Sequence, residues 1–264
     1  MHAVGSVQEL NTILGPGGAL EGYHQLKQEG KVGWGGISMH GQPDILIRAI
    51  QECHFDAVMT TINYYDRFNF PEIEESLLPL ANAKKMAVIL MKPVADGLLW
   101  RSAPVAFKYA LSQPVSVVVT GMNTREMLEE DLRYANEFTS MTFMEKIALF
   151  QNAVELGDYV CRQCNRCLPC PVGVPIPEIF KYEGYYDRQM RDGKVRDAAE
   201  FALRDRLRFW FTNQELAREK YAGLQIKADV CYGCGECLPR CPYGIDIPRK
   251  LEIANYKLVG GKIC

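Results

Sequence analysis

The chain has 264 residues, 48% of them hydrophobic, enough to bury the core of one large domain or of two moderate ones. A formal net charge of -2 and a pI near 6.1 leave no basic excess to attract nucleic acid or an anionic membrane surface. No apolar run approaches the roughly 18 residues of a membrane span, and no apolar leader opens the chain, so the expectation is a cytoplasmic protein whose thiols stay reduced.

In chain order, Ser6 is placed to cap a short helix over Val7–Leu14, which stops at the Gly15-Pro16-Gly17-Gly18 turn. That glycine cluster follows a helix, whereas a phosphate cradle follows a strand and opens a helix, so it reads as a turn. A second helix, over residues 19–29, ends at Gly30. Four strand–helix units follow. The strands fall on residues 32–37 (VGWGGI), 56–61, 87–91 (AVILM) and 115–120 (VSVVVT). Their helices fall on residues 43–53, 72–84, 103–111 and 125–138. Continuous apolar strands suit a parallel sheet buried on both faces and joined through right-handed helical crossovers. The fold class is therefore α/β, and four units are half of an eight-stranded β/α barrel of the TIM type. A connecting helix capped by Ser140 or Thr142 occupies part of residues 139–160.

Eight of the ten cysteines then fall into two runs. The first is Cys161, Cys164, Cys167 and Cys170 followed by Pro171; the second is Cys231, Cys234, Cys237 and Cys241 followed by Pro242. Two residues between successive cysteines let three thiolates line one side of a tight loop, as three irons of a cuboidal cluster require. Proline then turns the chain away. The second run has the C-x2-C-x2-C-x3-C-P spacing of bacterial [4Fe-4S] ferredoxins, and the first differs by one residue in its last gap. Zinc fits less well, because it takes four ligands and has no use for a third C-x2-C step with a following proline. Disulfides fit least in a reducing compartment. In two-cluster ferredoxins the fourth cysteine of each run ligates the other cluster, so Cys161, Cys164, Cys167 and Cys241 are expected on one cluster and Cys231, Cys234, Cys237 and Cys170 on the second.

Between the runs, residues 172–230 are charged and aromatic, and read as helices covering the clusters. The domains are then a partial barrel over residues 1–152 and a mainly helical, ferredoxin-like domain over 153–264. Cys53 lies on the apolar face of its helix and reads as core. Cys264, the last residue, has no assignment.

Several passages together resemble one known family, the aldo/keto reductases, and within it the branch with a C-terminal ferredoxin-like extension. These passages are LKQEGKVGWGGISMHG (26–41), DAVMTTINYYD (56–66), VILMKPVADG (88–97) and VVVTGMNTREMLEEDL (117–132), followed by the two cysteine segments. The resemblance implies that this sequence matches only the later half of the barrel. The aspartate, the general-acid tyrosine and the lysine that the family carries on its first three strands have no counterpart here. It implies a catalytic role for His2, aligned with the family's active-site histidine. It also implies NAD(P)H contacts at Ser38 for the carboxamide, Lys92 for the pyrophosphate, and Gly121, Met122 and Asn123 for the adenosine end. Met39 and Met59 stand where the family commonly has asparagine and glutamine, while Met127 and Asp131 replace its usual arginine and asparagine.

Three functional readings follow. The chain is an iron-sulfur oxidoreductase or electron carrier whose half-barrel binds a nicotinamide or a redox partner, or a barrel-derived scaffold with structural clusters, or the C-terminal part of a full reductase. Because an open four-stranded parallel sheet leaves backbone groups unpaired at its edges, a partner is expected, either a second copy or a chain completing the barrel.

Overall fold

The computed structural model describes residues 1–40, 43–122, 124–187 and 213–260. The chain divides into two compact units, Met1–Lys146 and Ile147–Cys264. The division lies a few residues before the boundary read from the sequence.

In the first unit, α1 (Val7–Leu14) is capped by Ser6, whose hydroxyl accepts from Glu9 N at 3.0 Å, and α2 (Ala19–Gln28) follows. Four parallel strands then alternate with helices. They are β1 (Gly36–Ser38), β2 (Ala57–Thr61), β3 (Ala87–Met91) and β4 (Val117–Val119), hydrogen-bonded in the order β1-β2-β3-β4. The helices are α3 (Pro43–Glu52), the short α4 (Asp66–Asn69), α5 (Leu78–Ala83), α6 (Ala103–Leu111) and α7 (Arg125–Asn136). Strands laid side by side in sequence order, with helices between them, form an arc of the kind a β/α barrel is built from.

The fully buried face of the sheet carries Ile37, Val58, Thr60, Val88 and Leu90, and Leu46, Ala49, Ile50, Leu77, Leu78, Ala81, Ala106 and Phe107 complete the core. The other face is less covered than continuous apolar strands imply. Met59, Ile89 and Met91 keep partial exposure, and Val117 and Val119 are 51% and 43% exposed. The two lateral edges also differ. The Met1 ammonium donates to Gly36 O at 2.7 Å, Ser38 N to Met1 O at 2.9 Å and Val4 N to Ser38 O at 3.0 Å, so residues 1–4 line the outer edge of β1. Among the described residues no strand pairs with the outer edge of β4.

Several elements depart from the expected bounds: β4 is confined to Val117–Val119 rather than residues 115–120, α4 is added, and two further departures have a local cause. The first strand begins at Gly36 rather than at residue 32: Gly35 still accepts from Asp56 N at 2.8 Å through its carbonyl, but its N–H donates to the Asp56 carboxylate at 2.8 Å. A Cβ at Gly35 would lie 2.4 Å from the Tyr23 ring, and Trp34 is 84% exposed. The helix expected over residues 72–84 contains a wider π-helical turn, Ile73–Leu77, directly ahead of Pro79, which has no N–H to continue a regular ladder.

In the second unit, α8 (Phe143–Asn152), which spans the division, starts at a reciprocal cap. Glu145 N donates to Thr142 Oγ1 at 3.2 Å and Thr142 N to Glu145 Oε2 at 2.7 Å. Beyond it lie α9 (Ile176–Asp187), α10 (Asn213–Ala222) and α11 (Ile247–Leu258), with α9 packed on both of the others. Each cysteine run leads through the same C-P-x-G-x-x-I-P passage, residues 170–177 and 241–248, into a helix of 12 residues, α9 or α11. Gly173 and Gly244 turn at φ of 75° and 68°, the left-handed region where a Cβ is costly. The charged stretch 196–211 and Cys264 lie outside the described residues. No described helix is long and apolar enough to cross a membrane.

Asp56 also accepts from Tyr23 Oη at 3.0 Å and from Lys27 Nζ at 3.1 Å. The Gly35 N–H, ahead of these partners, holds its carboxyl down at about 2. Asp56→Asn should cost about 1–3 kcal/mol at neutral pH. Because the folded value lies below the unfolded one, the wild-type contribution is present above about pH 4 and is lost as pH falls toward 2. Denaturant melts of the two proteins should therefore converge over that window, and equal stability at pH 7 would contradict the assignment.

Candidate metal centre

The two cysteine runs fold as copies of one loop. In each, the first and last cysteines are half-buried, the second is exposed and the third is buried, at Cys167 and Cys237. In each, the residues two and four places after the first cysteine take the left-handed conformation. These are Gln163 and Asn165 at φ of 53° and 60°, and Gly233 and Gly235 at 76° and 78°.

Two cavities form around these loops. Cys161, Cys164, Cys167 and Cys241 line the first, with an empty volume of about 320 Å³ including its open mouth, and Ile176, Pro177, Phe180, Ile245 and Ile247 supply apolar walls. Cys170, Cys231, Cys234 and Cys237 line the second, of about 340 Å³, with walls from Val172, Ile176, Pro248 and Leu251. Each cavity thus draws three cysteines from one run and the last from the other. The described cysteines are all free thiols.

Hydrogen bonds from neighbouring elements fix both loops. Gln163 Nε2 donates to Pro177 O at 2.9 Å, tying the first run to the start of α9. Arg162 donates to Gln151 O at 3.0 Å and Ala153 O at 3.3 Å, with its guanidinium 4.1 Å from the Tyr243 ring centre. Tyr221 on α10 is buried; its hydroxyl bonds Asn255 Oδ1 at 2.5 Å and accepts from Ala228 N at 3.0 Å, anchoring the turn that enters the second run. Arg240 spans the runs, donating to Glu236 O at 2.8 Å and Pro169 O at 3.1 Å.

Behind the first cavity lies a buried ionic network that the cysteine motifs do not announce. The Glu183 carboxylate on α9 meets Lys250 Nζ at 2.5 Å and Lys257 Nζ at 3.1 Å, both from α11, and accepts from Tyr159 Oη at 3.0 Å. All three charged residues are at most 6% exposed. The Lys250 ammonium also sits 3.5 Å from the Tyr159 ring centre and 5.0 Å from that of Phe180, a wall of the first cavity. The one sequence signal for it is the internal repeat, in which the positions matching Glu183, Lys250 and Lys257 are Ala254, Ile179 and Tyr186.

Burial pushes the Cys161 thiol up to about 12 and the Cys167 thiol to about 11, and raises that of Cys237. Metal entering such a site displaces protons, which is the usual coupling between thiolate ligation and metal binding. Four thiols around an apolar cavity fit the donor set of a 4Fe-4S cluster. In the first cavity the residues able to hold one are Cys161, Cys164, Cys167 and Cys241; in the second, Cys170, Cys231, Cys234 and Cys237.

The nicotinamide candidates lie in the first unit, at the C-terminal ends of the strands. Ser38 closes β1 and meets the other candidate there, since His2 Nδ1 lies 3.0 Å from its hydroxyl and Ala3 N donates to that hydroxyl at 2.9 Å. Lys92 follows β3 in a left-handed conformation, φ 61°. Gly121 and Met122, both exposed, follow β4, and Asn123 lies outside the described residues. Met39 is fully buried, and burial raises the Asp131 carboxyl.

Residues 160–246 match the family described as the 4Fe-4S dicluster domain. No curated protein matches the chain. Among solved structures, the aldo-keto reductase AKR11C1 from Bacillus halodurans is similar in its holo form, with 20% identity and a TM-score of 0.44 over 55% of this chain and 57% of that one. Its apo form gives 22% identity and a TM-score of 0.43 over 52% and 56%. The chain thus spans little more than half the length of those structures. The segment that bears both cysteine runs matches, as a family, the 4Fe-4S dicluster domain.

Proposed function

We propose that the protein is an iron-sulfur oxidoreductase or electron carrier that holds two 4Fe-4S clusters, the first on Cys161, Cys164, Cys167 and Cys241 and the second on Cys231, Cys234, Cys237 and Cys170. The observation that carries this reading is the crossed lining of the two cavities, three cysteines from one run and one from the other at each. Bound there, such a cluster supplies one-electron exchange. The residues around it bury it, screen it from water and set its charge environment, while the exposed cysteines, Cys164 and Cys234, mark the edges nearest an external partner. Anaerobically purified protein should contain about eight iron and eight sulfide per chain. Cys241→Ser should disturb the same spectroscopic centre as Cys161→Ser, and Cys170→Ser the same centre as Cys231→Ser. If Cys241→Ser instead disturbed the centre that Cys231→Ser disturbs, each run would be closing its own cluster.

In this reading the first unit binds a nicotinamide, with Ser38, Lys92, Gly121, Met122 and Asn123 as its contacts and His2 beside the reactive end. The C-terminal ends of parallel strands are where β/α barrels assemble their sites, and the contact between His2 and Ser38 supports a shared role at β1. Titrating NADH or NADPH into the oxidised holoprotein should bleach the cluster absorbance, each nucleotide giving one electron to each of the two clusters and releasing a proton, and Ser38→Ala should weaken the response about tenfold or more, as loss of a buried hydrogen bond does. Clusters indifferent to the nucleotide would leave the scaffold reading in its place.

The exposed valines of β4, and an outer edge of β4 that no strand pairs among the described residues, further support a partner, either a second copy or a chain completing the barrel. Sedimentation should show a dimer or a stable complex at micromolar concentration, and a monodisperse monomer that captures nothing would contradict it.

A further inference from the structure

The two cysteine loops repeat each other in backbone, but the charges around them do not. Aligned cysteine for cysteine, Arg162 and Arg166 of the first run correspond to Tyr232 and Glu236 of the second. The helices break the repeat in the same direction. Lys250, buried against the Phe180 wall of the first cavity, corresponds to Ile179, and Lys257 corresponds to Tyr186. The Glu183 carboxylate is shared between two ammonium groups, so it does not cancel Lys250 alone. Half-buried Arg240 reaches the residue before the second site's partner cysteine, donating to Pro169 O, but it lies next to Cys241 of the first set as well and so does not single out either site. Exposed charges such as Arg166 and Glu236 are weakened by water and salt, whereas a buried ammonium acts through a medium of low dielectric.

Reduction of a cluster adds one negative charge, so a fixed cation nearby stabilises the reduced form. Resting on the two-cluster reading above, we propose that Lys250, supported by Arg162, makes the sites unequal, so that the cluster held by Cys161, Cys164, Cys167 and Cys241 is the easier to reduce. An electron shared within the domain then resides mainly there: the centre on Cys231, Cys234, Cys237 and Cys170 is oxidised by one electron as the first is reduced by one. The first site is accordingly where the electron comes to rest. Lys250 acts through space and is a positioning residue, since Phe180 and Tyr159 stand around its ammonium.

The test is a dithionite redox titration of the anaerobic holoprotein followed by electron paramagnetic resonance. Wild type should show two separate one-electron steps. Lys250→Met should lower the potential of the upper step and leave the lower one in place, moving the electron partition about tenfold or more toward the second site. Glu183→Gln should move the upper step the opposite way, which a merely structural role would not do; if one variant fails to load iron, the other decides. Two coincident steps in wild type, a shift confined to the lower step, or no shift in either variant would overturn the proposal while leaving the two-cluster reading intact. A preparation without iron and sulfide would overturn both.

Discussion

Four sulfur atoms have to converge on each cavity from two stretches far apart in the sequence, and much of the second unit is arranged to make that convergence hold. Cys241 lines the cavity of Cys161, Cys164 and Cys167, and Cys170 that of Cys231, Cys234 and Cys237, so each cavity is built from both runs. Closing such a long connection costs chain entropy. What offsets it is visible in the packing of α9 on α11, in the Tyr221 hydroxyl that bonds both Asn255 and Ala228, and in the Glu183 carboxylate gripped by two lysines of the facing helix. A buried carboxylate with two ammonium partners is seldom the most stabilising filling of a core. Its position beside a cysteine cavity gives it an electrostatic role that an apolar replacement would lack.

The repeat in the second unit divides architecture from tuning. Backbone features are duplicated: the left-handed turns, the order of exposed and buried cysteines, and the C-P-x-G-x-x-I-P entry into a helix of the same length. These are what thiolate geometry demands. The side chains that differ, Arg162 against Tyr232 and Lys250 against Ile179, stand on the same repeated backbone and alter the field around it. In the proposed electron carrier, unequal surroundings on a duplicated scaffold would give an electron a preferred site, which two identical sites could not.

Much of this was legible in the residues. Cysteine spacing is a geometric statement about loops, and its reading as an iron-sulfur domain agrees with the 4Fe-4S dicluster match over residues 160–246. The strands AVMTT and AVILM announced themselves because apolar, β-branched runs bounded by polar turns have few other uses. The first strand was overextended because a glycine pattern does not reveal that Gly35 gives its N–H to a carboxylate twenty-one residues on. The π-helical turn before Pro79 is a local compromise that periodicity misses. Lys250 and Glu183 were illegible for a different reason: a charge on an amphipathic helix reads as solvated surface until a partner helix is known to cover it. The exposure of Val117 and Val119 likewise depends on what lies beside the sheet, which strand composition does not encode.

The left-handed positions of the two loops are filled differently, Gln163 and Asn165 in one and Gly233 and Gly235 in the other. Side chains narrow the conformations open to a chain before it folds, and glycine widens them. The second loop therefore surrenders more backbone freedom on folding, while the first must hold two side chains in the left-handed region, so the same turn is reached at different costs in the two halves of the repeat.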